Sequence, residues 1–82
     1  MAAYLLYKRI AVRQTLLNGI EATRQAVRRL PGLHVLILSM HADEAYITQA
    51  LGAGAQGYLL KDSADTELIR AVTAVAGGKS YF

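Results

Sequence analysis

The chain has no cysteine, no tryptophan and a single proline, and no acidic residue precedes Glu21. The absence of cysteine excludes a disulfide scaffold, a thiolate metal site and a cysteine nucleophile. Charged residues are 18% and hydrophobic ones 54%, a balance that excludes intrinsic disorder. Long apolar runs are missing too. The opening stretch Met1–Tyr7 lacks a basic leader and is cut short by Lys8-Arg9, which excludes a secretory signal. A membrane span needs about 20 apolar residues, and nothing here approaches that. The expectation is a soluble cytoplasmic chain of 82 residues, one small domain.

The net charge of +3 is unevenly placed. Residues 1–30 carry Lys8, Arg9, Arg13, Arg24, Arg28 and Arg29 against Glu21. Residues 31–82 carry Lys61, Arg70 and Lys79 against Asp43, Glu44, Asp62, Asp65 and Glu67. The basic end is either a solvated helix face or a surface for an acidic partner. A small basic nucleic-acid-binding domain is therefore the competing function, although Arg24, Arg28 and Arg29 lack interleaved aromatics.

Punctuation divides the rest. After Asn18-Gly19, the residues Ile20, Thr23, Val27 and Leu30 recur on one helical face until Pro31-Gly32, with Asn18 as the expected N-cap. The run His34–Leu38 is apolar without alternation after its first residue, as suits a parallel strand buried on both faces, and it ends at Ser39. Asp43-Glu44 opens a second helix with Ile47, Ala50 and Leu51 expected inward and Gly52 or Gly54 at its end. A second strand, Gly57–Leu60, stops at Lys61-Asp62. Ser63 then caps a third helix with Leu68, Ile69, Val72, Val75 and Ala76 as its stripe, closed by Gly77-Gly78. Helices alternating with strands predict an α/β fold with a parallel sheet. Residues 1–17 differ: Leu6, Ile10 and Leu17 could share a helical face, and a strand at Tyr4–Ala11 is the alternative. A helix is the favoured expectation.

Ligands of open α/β sheets bind beyond the carboxyl ends of the strands. Ser39 and Lys61 stand there, and a hydroxyl beside an ammonium suits an anion such as a phosphoryl group. Either is also an ordinary polar residue emerging into solvent. No general base or third orienting group accompanies them, so an enzyme is not expected. His34 and His41 are too few for a metal site and read as a partly exposed edge residue and a loop residue.

The runs Gly19-Ile20-Glu21-Ala22-Thr23-Arg24, Val35-Leu36-Ile37-Leu38-Ser39-Met40-His41, Asp43-Glu44-Ala45-Tyr46 and Ala53-Gly54-Ala55-Gln56-Gly57-Tyr58-Leu59-Leu60-Lys61-Asp62 resemble the second half of a response regulator receiver domain. The sub-family is the one with a LuxR-type helix-turn-helix output. The resemblance implies a truncated flavodoxin-like fold over residues 16–82, from the family's third helix to its fifth, with sheet order 2-1-3-4-5 in the complete domain. It implies that Ser39 and Lys61 are phosphoryl-contact positions and that Tyr58 is the switch aromatic whose rotamer follows the hydroxyl residue. It implies a histidine kinase and, through an output domain absent here, DNA as partners of the full-length protein. One departure matters. The position of the phosphoacceptor aspartate is Ala11, and the Met-Pro that should follow falls on Gln14-Thr15. The acid pair that binds Mg2+ in the family has no counterpart, so no cofactor is expected. With no phosphoryl group to pull on Ser39, nothing should couple it to Tyr58. The chain reads as an interaction module that cannot be phosphorylated. Because the strand 34–38 should expose an unpaired edge, a homodimer is expected.

Overall fold

The computed structural model describes residues 2–7, 10–15 and 19–82. Its elements run β1 (Ala2–Tyr7), β2 (Ile10–Thr15), α1 (Gly19–Arg29), β3 (His34–Ser39), α2 (Glu44–Gly52), β4 (Gly57–Leu60), a 3-10 turn (Lys61–Ser63) and α3 (Ala64–Ala76). The strands form one sheet in the order β2-β1-β3-β4. β3 and β4 are parallel, as expected, and β1 is antiparallel to both β2 and β3.

The strand β3 organises the packing. Successive side chains of a strand point to opposite faces. Val35 and Ile37 join Ile20, Leu33, Ala50, Ala53, Ala55 and Tyr58 in one cluster beneath α1 and α2. Leu36 and Leu38 join Leu6, Leu59, Ala71 and Val75 in a second cluster beneath α3. Val35, Leu36 and Ile37 are fully buried, which explains why this run shows no polar alternation.

Local chemistry sets the helix ends. Gly54 at φ 106° ends α2 with its N–H bonded to Leu51 O and the Ala55 N–H to Ala50 O. Gly78 at φ 83° ends α3 in the same way, through Val75 O and Ala74 O. Both are Schellman closures, in which a left-handed residue lets the chain satisfy two orphan carbonyls. Ser63 does occupy the N-cap of α3, but its side chain makes no capping bond. The expected cap Asn18 lies outside the described residues, as does Leu17.

Three expectations are corrected. First, residues 2–7 and 10–15 are strands and not a helix. Tyr4 and Leu6 pack on the cluster beneath α3, whereas Leu5 packs on the opposite one, a period of two. Tyr and Leu tolerate either conformation, and the unpaired flank of β3 selects the strand. Second, that flank is therefore not bare: β1 pairs with it from Ala2↔Leu38 to Leu6↔His34. His34 accordingly begins an interior strand and not an edge. Third, Leu51 (48% exposed), Leu30 (43%) and Ile69 (84%) do not face inward. The buried residues of α3 are Ala71 and Val75, with the expected Leu68 and Val72 packed beside them, while Ile69 and Ala76 lie off that stripe.

Candidate functional site

The carboxyl ends of β3 and β4 lie side by side, with Ser39 opposite Leu60 in the parallel register. Lys61 follows directly and is exposed at the start of the 3-10 turn. Ser39 is fully buried. The two residues singled out from sequence thus share one edge of the sheet, one inside it and one at its rim.

A single peptide segment ties Ser39 to Tyr58. The His41 N–H donates to Ser39 Oγ at 3.0 Å, and the Tyr58 hydroxyl donates to the His41 carbonyl at 2.6 Å. Tyr58 is 5% exposed, and burial pushes its hydroxyl pKa up from 10.0; a hydrogen bond from Ser39 acts in the opposite sense, and nearby Tyr46 and Asp43 add to the rise. The Ser39 hydroxyl therefore accepts a bond from the backbone. An incoming anion that took its place would have to displace that bond. Ser39 and Tyr58 are thus joined through the backbone of His41. The His41 ring stacks on Tyr46 at 4.8 Å between centroids, and Tyr46 meets the Tyr58 ring edge-on at 6.5 Å. Sequence reasoning placed His41 in a loop, correctly, and missed its role, since a role carried by a backbone N–H and C=O leaves no signature in residue type.

Ala11 is elsewhere. It pairs with Leu6, which in turn pairs with His34, at the amino end of β3. Ser39 closes the other end of that strand, about 17 Å away at ~3.3 Å per residue. Ala2, and across from it Thr15, are the hairpin residues at the Ser39 end. Near Ala11's end, His34 Nδ1–H donates to Gln56 Oε1 at 2.6 Å.

Residues 12–73 match the response regulator receiver domain. The chain belongs to that family. Its transcription-regulator relatives include the transcriptional regulatory protein DegU of Brevibacillus brevis, 52% identical over 64 residues that cover 78% of this chain and 27% of DegU. The transcriptional regulatory protein MctR of Rhizobium johnstonii is 42% identical over 80% of this chain and 31% of its own length. The oxygen regulatory protein NreC of Staphylococcus carnosus is 42% identical over 78% of this chain and 30% of its own. The receiver described here thus spans less than a third of each of these relatives. No solved structure matches it.

Placed in the family's order 2-1-3-4-5, β3 and β4 are the fourth and fifth strands, and β1 takes the third strand's position with reversed direction. A Mg2+ ion needs several hard oxygen ligands. Among the described residues no three of His, Asp and Glu cluster so as to hold a metal, and the carboxyl edge presents a bonded hydroxyl and an ammonium. No described helix is long and apolar enough to cross a membrane.

Proposed function

We propose that this chain is a receiver module of a two-component transcription regulator that works through contacts with other proteins and not by accepting a phosphoryl group. The register of Ala11, at the far end of the sheet from Ser39 and Lys61, carries this reading. Ser39 and Lys61 correspond to phosphoryl-contact positions and Tyr58 to the switch aromatic, yet no carboxylate of the aligned strand stands beside them. Asp43, Asp62 and Asp65 are exposed in the loop before α2, in the 3-10 turn and in the first turn of α3. The reading makes the chain a non-enzymatic, cytoplasmic protein. By likeness to its relatives, the regulator as a whole would answer to a histidine kinase and act on DNA through a LuxR-type output domain.

A second copy is the proposed immediate partner. β1 covers β3, and β2 has a strand partner on one side only among the described residues. Antiparallel addition of two β2 strands about a two-fold axis would satisfy both edges at once. Direct nucleic-acid binding through α1 is not favoured, since Arg24 is paired with Glu21 and the helix belongs to a receiver.

Incubation with acetyl phosphate and Mg2+ followed by intact-mass spectrometry tests the central claim. The chain is expected to stay unmodified, and so is the Ala11→Asp variant. An acid-labile adduct on the unaltered chain would overturn the proposal. Sedimentation equilibrium at low micromolar concentration tests the dimer, and a folded monomer of 8.9 kDa would refute it.

A further inference from the structure

The C-terminal segment returns to the sheet on the side opposite the hairpin. Gly78 turns the chain out of α3, and Tyr81 forms a parallel bridge with Gly57. The Tyr81 N–H donates to Gln56 O at 3.0 Å, and the Tyr81 carbonyl accepts the Tyr58 N–H at 2.8 Å. Its hydroxyl donates to Glu67 Oε1 on α3 at 2.5 Å, and its ring packs against the cluster beneath that helix. Tyr81 thus carries three polar anchors and one apolar contact.

Tyr58 lies between this anchor and the Ser39 loop. Its N–H is held by Tyr81 and its hydroxyl by the His41 carbonyl, and the His41 N–H is spent on Ser39. We infer that residues 79–82 form a strap whose docking on β4 fixes Tyr58 and, through the His41 peptide, sets whether the Ser39 hydroxyl is free to meet a ligand. Strap and Ser39 loop are the two ends of one hydrogen-bonded path. Coupling of this kind is reciprocal, so loosening either end must loosen the other. The inference needs no phosphoryl chemistry and stands or falls separately from the function proposed above.

Amide hydrogen exchange by NMR reads both ends in the same sample. Tyr81→Phe removes one anchor while leaving the ring and both backbone bonds in place. The Tyr58 and His41 amides should each exchange about tenfold faster, the scale of one ordinary hydrogen bond, with the β3 amides unchanged. Glu67→Ala removes the same anchor from the helix side and should do the same. In the reverse direction, Ser39→Ala should speed exchange of the Tyr81 amide. The inference is overturned if the Tyr58 amide opens without the His41 amide. It is equally overturned if Ser39→Ala leaves the Tyr81 amide untouched, or if the β3 amides accelerate in step, which marks a general loss of stability.

Discussion

The hairpin Ala2–Thr15 and the part from Gly19 onward obey different rules. In the second region each α-helix ends at or just before a glycine or proline, and the strands are short apolar runs that stop at polar residues. In the first there is no glycine or proline among residues 1–17, and the same side chains suit a helix or a strand. The difference teaches that the part from Gly19 onward is specified mostly by its own sequence, whereas the hairpin takes its form from what it covers. β3 offers a row of backbone donors and acceptors, and the hairpin supplies the partner.

Removing residues 1–15 is the most severe way to break this contrast. It would bare one flank of β3 and take Leu6 out of the cluster with Leu36 and Leu38. A chain this small has little stability to spare, and the cooperative thermal transition seen by circular dichroism should disappear. Survival of a cooperative melt would show that the remainder folds without the hairpin.

A smaller effect sharpens the comparison within the region after the hairpin. A Cβ added at Gly57 would meet Leu36 Cδ1 at 2.6 Å and Val75 Cγ2 at 2.8 Å, between the sheet and α3. Gly57→Ala should cost about 1–3 kcal/mol in urea denaturation through overpacking. Gly52, at the end of α2, has nothing within 4 Å of the same atom, so Gly52→Ala should be neutral or gain about 0.5–1 kcal/mol. Equal changes at the two sites would contradict the tight packing at Gly57.

The smallest expected effect is a pH dependence. Burial first, among several causes, raises the Tyr58 hydroxyl above 10.0, and the bond to Glu67 raises that of Tyr81 in the same direction. A group whose folded value is raised contributes stability that is fully present below its unfolded value and is lost as pH climbs through the folded one. Stability should therefore hold up to about pH 10 and fall above it. In Tyr58→Phe the alkaline fall should be shallower, with the Tyr81 share remaining. An identical alkaline profile in the variant would show that Tyr58 keeps its ordinary pKa.

Much of the candidate site was legible beforehand. Ser39 and Lys61 were placed at adjacent strand ends from the lengths of two apolar runs, and the register puts them there. What the sequence could not show was that Ser39 is already bonded, because its partner is the backbone N–H of His41, whose carbonyl in turn holds the hydroxyl of Tyr58 on the next strand. Nor could it show that Ala11 lies at the far end. That outcome depends on β1 running antiparallel to β3, a choice made by pairing and not by any property of Ala11 itself.

By itself the sequence determined the three helices, the two parallel strands and the burial of β3 on both faces, because those features rest on local stops and on side chains of one kind in a row. The tertiary structure alone decided the hairpin, the exposure of Leu30, Leu51 and Ile69, and the docking of Tyr81 on β4. Each of these depends on which surface a segment finds when the rest of the chain is in place. An ambivalent strand takes the edge that lacks a partner. A leucine on a narrow helix face stays wet when a neighbouring alanine makes the closer approach.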